Sequence, residues 1–312
     1  MREGLNLKSS APVDVLVFGA TGAIGRALLE KSQSSGLSVF GISRGDNKVQ
    51  GMISTDYRPA SILEILRNYS PKQIVISIGS VSSYPNINSS LMHDEIKSIN
   101  SILCAIGQAN LNSHVSLISS SAVYGNTANN LSSESDLLNP LSKYGESKVE
   151  IEGLAIESSK NSSFSLDVLR VFSVYGKDQK KLLIWDVFQR IQKCKEDKLE
   201  IKSSLKNKRN FTNIEDLASI ILLLAGKSQD KLRIINVGSP DSLLIKDVVE
   251  IMRQFLSPNL KVLLTNETEI GKPELILPDL TKMYSEIGHE FKFIDFKDGL
   301  NKTLQFWRNQ NL

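Results

Sequence analysis

In the run Asn139-Pro140-Leu141-Ser142-Lys143-Tyr144-Gly145-Glu146-Ser147-Lys148, a phenol and an ammonium stand four residues apart. On a helix that interval puts both side chains on one face, about a turn apart. An ammonium beside a phenol favours the phenolate. A free tyrosine titrates near ~10, and bringing it about 3 units down towards working pH requires roughly 4 kcal/mol at about 1.36 per unit. Tyr144 is thereby a candidate general acid or base at a hydroxyl or carbonyl. Taken alone, Tyr-x-x-x-Lys occurs by chance in many helices. Upstream, an apolar run closes in Ser119-Ser120-Ser121-Ala122-Val123-Tyr124-Gly125. A serine hydroxyl at the carboxyl end of a strand can share a proton-bearing bond with the same substrate oxygen and fix its position.

Three glycines mark the first junction between an apolar run and an amphipathic one. Val13 to Phe18 leads into Gly19-Ala20-Thr21-Gly22-Ala23-Ile24-Gly25, and Arg26 to Glu30 continues in helical register. Glycines so placed let the chain turn sharply, let backbone approach a pyrophosphate and let helix pack closely on strand. The helix N-terminus adds free amides and a partial positive charge. Residues Gly19, Thr21, Gly22, Ala23, Ile24 and Gly25 therefore read as a dinucleotide site, an ordinary glycine turn being the alternative. At the end of the second strand an acid would bond ribose hydroxyls, whereas an arginine would accommodate a 2′-phosphate. Ser43 and Arg44 stand there. The planar fork of Arg44 suits phosphate, which favours NADP over NAD; the competing reading is a solvated arginine with Asp46 serving the ribose. Asp56 and Tyr57 are expected at an adenine edge, with a plain turn aspartate as the alternative. An oxidised nicotinamide in this site would join Lys148 in favouring the phenolate.

These groups need elements to hold them. Val13 to Phe18, Ser38 to Ile42, Gln73 to Ile78, Val115 to Ile118 and Leu166 to Val171 are short, rich in Val, Ile and Leu, and bounded by Gly, Ser or Asn, which predicts strands. Between them Ile24 to Ser34, Ser61 to Tyr69, Leu91 to Ala109 and Lys143 to Ser159 predict helices. Strand and helix in alternation give an α/β fold, a doubly wound parallel sheet of the Rossmann type covered on both faces, with ligands outside the carboxyl ends of its strands. After Gly176 the pattern changes. A helix over Lys181 to Cys194 is followed by the charged stretch KCKEDKLEIKSSLKNKR, then a helix at Ile214 to Ala225 and a strand at Ile234 to Val237. The expected division is a dinucleotide unit over 1–175 with about 211–238, and a smaller substrate unit over about 176–210 and 239–312.

The 312 residues are 41% hydrophobic and 23% charged, within the range of a globular protein. Lys and Arg exceed Asp and Glu by 37 to 34 without a basic field, which sets nucleic acid aside as a partner. The longest apolar run, near Ile220 to Ala225, falls far short of the ~18 residues a transmembrane helix needs, so no membrane is expected. The opening MREGLNLKSS lacks an apolar core and a cleavage pattern, and no secretory signal is expected. Cys104 and Cys194 lie ninety positions apart with no redox or metal spacing, which fits a reducing cytoplasm. His93, His114 and His289 are scattered, and no metal site is expected.

Glycine turn, serine strand end and tyrosine helix come in one chain order, and together the chain resembles the extended short-chain dehydrogenases/reductases, the family of nucleotide-sugar epimerases, dehydratases and ketoreductases. The likeness runs from about Val13 to Trp307. GATGAIG (19–25) resembles the family's glycine turn, with a spacing other than the common G-x-G-x-x-G. SSSAVYG (119–125) resembles its catalytic-serine segment, and counting back from Tyr124 makes Ser120 the matching hydroxyl, with Ser121 second and towards substrate. PLSKYGESK (140–148) resembles the segment bearing the catalytic Tyr144 and Lys148. The resemblance further implies Val171 beside nicotinamide, Ser173 on the substrate where asparagine is usual, Arg209 on a diphosphate, and Lys272 on a phosphate where arginine is usual. The fourth strand ends Ser77-Ile78-Gly79-Ser80 instead of the frequent His-Leu-Ala-Ala, with Ser77 expected at the cofactor, and Ser98 takes the place of a helical asparagine.

The resemblance implies an NAD(P)-dependent enzyme that moves hydride at a ring carbon, C4, of a nucleotide-activated hexose, as a 4-epimerase or a 4-ketoreductase. Tyr144 handles the oxygen-bound proton, Lys148 tunes it and holds the nicotinamide ribose, and Ser120 orients the oxygen. Relatives that eliminate water across adjacent carbons carry an acid pair after the catalytic hydroxyl; Ser121 and Ala122 stand here, which disfavours a 4,6-dehydratase. A regulator or RNA-associated protein that kept the fold and lost its chemistry is the alternative, although such relatives typically lose the tyrosine or the lysine. A homodimer is implied through the helices at Leu91 to Ala109 and Lys143 to Ser159. Ile96, Ile99, Leu103 and Ile106 recur there at helical spacing, which packing on the sheet explains equally well.

Overall fold

The architecture follows from strands that are apolar on both faces. In β1 (Val15–Phe18), Val15 and Val17 point into one core and Leu16 and Phe18 into another, because successive side chains alternate across a sheet. The computed structural model describes residues 12–44, 51–79, 89–126, 131–227, 230–267 and 275–310. From β1 the chain runs through α1 (Ala23–Ser34), β2 (Val39–Ser43), β3 (Met52–Ser54), α2 (Pro59–Tyr69), β4 (Gln73–Ile76), α3 (Ser89–Ala109) and β5 (His114–Ser120). A 3₁₀ turn at Ser121–Val123 follows, then α4 (Lys143–Lys160), β6 (Ser165–Val171), β7 (Ser173–Tyr175), α5 (Leu182–Lys193), β8 (Lys198–Ile201), β9 (Lys208–Asn213) and α6 (Ile214–Lys227). The remainder is β10 (Leu232–Val237), β11 (Ser242–Leu244), α7 (Ile245–Leu256), β12 (Lys261–Leu264), β13 (Leu275–Ile276), α8 (Thr281–Ile287) and α9 (Phe296–Asn309).

Seven strands form one parallel sheet in the order β10-β6-β5-β4-β1-β2-β3. Residues of α1 and α6 share the core on one face, and residues of α2, α3 and α4 the core on the other. The strand order reverses between β1 and β4, and a crevice for a ligand opens at such a reversal. This is the doubly wound Rossmann-type fold that the alternation of the sequence predicts. Ile99, Leu103 and Ile106 of α3 are buried in the sheet's own core, so packing within the subunit accounts for that apolar stripe.

The second part of the molecule is built on a small sheet, β11-β9-β13, with β7 also paired to β9, and on the parallel pair β8–β12. Its core gathers Phe188, Val248, Met252, Leu304 and Trp307 from α5, α7 and α9. Two details depart from the division drawn on the sequence. The segments Ser173–Tyr175 and Phe211–Asn213 pair with each other in the small sheet. Met283 and Ile287 of α8 return to the large one, against the α6 face.

Candidate active site

Helix α4 begins where Ser142 caps it, its hydroxyl accepting a hydrogen bond from the Gly145 amide at 3.1 Å. Tyr144, half-buried, therefore falls in the first turn and Lys148 in the second. The Lys148 ammonium lies 5.6 Å from the centre of the Tyr144 ring, so the interval of four residues brings the two side chains together as expected. Lys148 is almost wholly enclosed and donates to the Glu95 carboxylate at 2.6 Å, with the Ile78 carbonyl at 3.5 Å. Burial opposes its charge, but the neighbouring Tyr144 oxygen and the Glu95 carboxylate outweigh burial and hold the lysine above its ordinary range. The sequence reading missed Glu95. The nearest signal was the helix position assigned to Ser98, whose hydroxyl bonds the Asp94 carbonyl of its own helix at 2.7 Å.

Strand β5 delivers the serines in alternation. Ser119 turns inward and donates to Glu152 at 2.5 Å, whereas Ser120, at the strand end and in register with Val171 of β6, caps the following turn by accepting from the Ala122 amide at 3.2 Å. That bond uses a lone pair of Ser120 and leaves its hydroxyl proton for another acceptor. Behind the strand end, Arg170 binds the Glu152 carboxylate through Nε and Nη2 and reaches the Tyr124 hydroxyl at 3.1 Å. Tyr124 donates to Asn236 at 2.5 Å, and its burial pushes the phenol up to about 12.

The glycine turn meets the same place from the other side. Gly19 has φ +82°, and a Cβ there would come within 2.8 Å of the Ser77 backbone and 2.9 Å of the Ile78 nitrogen. A Cβ on Gly25 would collide with the Gly19 carbonyl oxygen. The segment just after β4, residues 77 to 79, thus lies between the glycine turn and Lys148. Helix α1 starts at Gly22 without a side-chain cap, followed by Ala23 and Ile24, with Thr21 exposed beside it. First-turn amides left without a side-chain cap are the groups that receive an anion.

One expectation needs correction. The Tyr57 ring is in the core, 6.0 Å from the Phe18 ring, and its hydroxyl donates to the Ile42 carbonyl at 3.4 Å, so its side chain does not offer itself to an adenine. Ser77 donates its hydroxyl to the Phe18 carbonyl at 2.9 Å and braces the glycine turn. Arg209, on β9, is about nine-tenths buried, with Nη1 donating to the Lys208 carbonyl at 3.0 Å. Asp56 is exposed and paired with Arg58. Ser43 is buried, while Arg44 is exposed with its guanidinium 5.8 Å from the centre of the Tyr57 ring. Ser121 is partly exposed in the turn after β5, and Ser173 opens β7 against Phe211. Asp46 and Lys272 lie outside the described residues.

The sequence profile of the NAD dependent epimerase/dehydratase family matches residues 15–238. The chain belongs to this family. Among curated relatives, the uncharacterized UDP-glucose epimerase YtcB of Bacillus subtilis (strain 168) is 27% identical over 190 residues, 60% of this chain and 58% of the relative. UDP-glucuronic acid decarboxylase 1 of Arabidopsis thaliana is 24% identical over 205 residues, 63% of this chain and 46% of the relative. The chain thus matches less than two thirds of the length of either. Two solved structures share the fold: MoeE5 with UDP-glucuronic acid and NAD, at TM-score 0.81 and 23% identity over 95% of this chain and 99% of that one, and UDP-glucuronic acid 4-epimerase from Bacillus cereus with UDP-glucuronic acid and NAD, at TM-score 0.80 and 21% identity over 95% and 99%.

The family implies a nicotinamide dinucleotide, and the residues present fit one. Gly19 and Gly25 remove the Cβ atoms that would close the turn, and the uncapped start of α1 stands beside it. Both solved neighbours hold NAD. Among the described residues no helix is long and apolar enough to cross a membrane.

Proposed function

We propose that this chain oxidises and reduces a ring carbon, C4, of a nucleotide-activated hexose, as a 4-epimerase or a 4-keto-sugar reductase. The observation that carries the reading is the contact of Lys148 and the glycine turn with one segment just after β4, residues 77 to 79, with Tyr144 stacked above Lys148. A bound nicotinamide dinucleotide supplies the hydride acceptor and donor. The chain's own residues manage the proton and the geometry. Tyr144 exchanges a proton with the sugar oxygen, Lys148 sets the electrostatics of that exchange, and the free hydroxyl proton of Ser120 orients the same oxygen. Ser121, Ser173, Arg209 and Lys272 are the proposed contacts to the nucleotide sugar. The four relatives and structures described above, each named with a UDP-linked sugar, support that substrate class.

Arg44 favours NADP over NAD and thereby the reductase, while the relatives named epimerases favour epimerisation. Anaerobic turnover separates the two. A UDP-hexose converted to its 4-epimer without added cofactor identifies an epimerase with retained dinucleotide; stoichiometric NADPH oxidation with a 4-keto sugar identifies a reductase; neither rejects the reading. Loss of the Arg44 fork in Arg44→Ala is expected to weaken NADPH by about tenfold, the value of a charge-assisted bond, with little change for NADH, as measured by fluorescence titration.

A further inference from the structure

Lys148 brings a counter-charge into the site. Glu95 reaches it from α3 at 2.6 Å, and the two side chains are 4% and 3% exposed. Gly79 lies against the pair, where a Cβ would sit in ordinary contact, 3.4 Å from the ammonium and 3.8 Å from the carboxylate. Helices α3 and α4 and the segment just after β4 therefore enclose one buried cation and one buried anion directly beneath Tyr144.

We propose that Glu95 is a positioning residue for proton transfer: acting through Lys148, it fixes the net charge of the Tyr144–Lys148 pair and so the pH range in which the pair exchanges a proton with substrate. The proposal rests on the assignment of Tyr144 as the proton-transfer group. A buried cluster resists net charge. With Glu95 ionised, the neutral sum is a phenol, an ammonium and a carboxylate, so the pair keeps both its protons. Without that carboxylate, neutrality returns when the pair gives up one proton, whichever of its two members loses it. Glu95 thus keeps the pair loaded as a proton donor.

Among the described residues, the other charges near the pair are matched or lie in solvent. Glu152, one turn along α4, is bound by Arg170 of β6, which also meets Tyr124. Lys143 and Glu146 of α4 pair with each other at the surface. His93, Asp94 and Lys97 of α3, like Glu64 and Arg67 of α2, are exposed.

The test is an ultraviolet titration of tyrosinate in the free enzyme, with Tyr144→Phe subtracted to isolate one phenol, alongside the pH profile of kcat/KM. In Glu95→Gln the first proton loss of the pair is expected to move down by about one to two pH units, the usual effect of one charge at this range, and the pH profile is expected to move with it. Glu95→Asp, whose carboxylate draws back from Lys148, is expected to move it in the same direction by less, and carries the test if the glutamine variant does not fold. A titration that stays in place in the variants overturns the proposal, including the case in which they are merely less stable. The titration needs neither substrate nor cofactor, so a failure of the assigned reaction leaves it readable.

Discussion

Helix α4 buries two ion pairs one turn apart, and they are built differently. At Glu152 the partner is Arg170, bound through Nε and Nη2 while Nη1 reaches the Tyr124 hydroxyl and the Glu134 carbonyl; Ser119 donates to the same carboxylate. At Lys148 the partner is Glu95, with the Ile78 carbonyl more distant and the Tyr144 ring above. A guanidinium fork occupied on every side holds strand to helix. A three-donor ammonium with one short bond retains donors for the crevice. The same helix thus supplies a fixed brace at one turn and a working charge at the next.

The largest effect that tests this contrast belongs to the crevice side. Tyr144→Phe removes only the hydroxyl of a half-buried ring, so unfolding by urea is expected to change little. Turnover is expected to fall by about a thousandfold, in the range of a lost general acid or base. A rate within a few-fold of the parent would remove Tyr144 from the mechanism.

Next comes the brace. Arg170→Met strands the Glu152 charge among β5, β6 and α4, and a broken buried pair costs about 3–5 kcal/mol. Urea denaturation is expected to show that loss, and Arg170→Met combined with Glu152→Leu is expected to recover most of it because no charge remains unpaired. The equivalent double change at the working pair, Lys148→Met with Glu95→Leu, is expected to recover stability in the same way and leave turnover lost. Recovered turnover there would erase the distinction between the two pairs.

The two pairs also differ in how they could be read from the sequence. The large sheet was legible because most of its strands are short runs rich in Val, Ile and Leu that alternate with helices along the chain. The approach of Lys148 to Tyr144 was legible because one helix fixes their spacing. Glu95 was not, since it meets Lys148 from another helix 53 residues away, and sequence spacing carries no record of that approach. Tyr57 was misplaced because an aromatic in a polar loop reads as a surface group, whereas its ring fills the space beside Phe18. Strand β9 hid its character as well. KRNFTN shows no apolar alternation, because Asn210 is buried by bonding the Ser239 and Asp241 carbonyls at 2.7 and 3.0 Å and the Ser239 amide at 2.9 Å. Buried polar side chains satisfied by backbone leave no hydrophobic pattern to detect.

The smallest effect sharpens the comparison with a carboxylate that lacks a cation. Asp216 near the start of α6 is 5% exposed, accepts from the Ile294 amide at 3.0 Å, and has no ion pair among the described residues. Burial is the main reason its carboxyl rises from 3.8 to about 6; neighbouring Glu215 adds to the rise, and the Ile294 bond and Lys31 oppose it. A folded value above the unfolded one means that the native state binds the extra proton between about pH 4 and 6. The resulting stability is complete below about pH 4 and is lost as pH rises through about 6. Asp216→Asn keeps an acceptor for Ile294 and cannot ionise. It is expected to be more stable than the parent by about 1–2 kcal/mol at pH 8, part of the roughly 3 kcal/mol that the shift represents at about 1.36 per unit, with the advantage gone by pH 4. Denaturation midpoints at the two pH values measure this, and an asparagine variant equally stable at both would show that Asp216 stays charged without penalty, unlike Glu152, whose charge is matched.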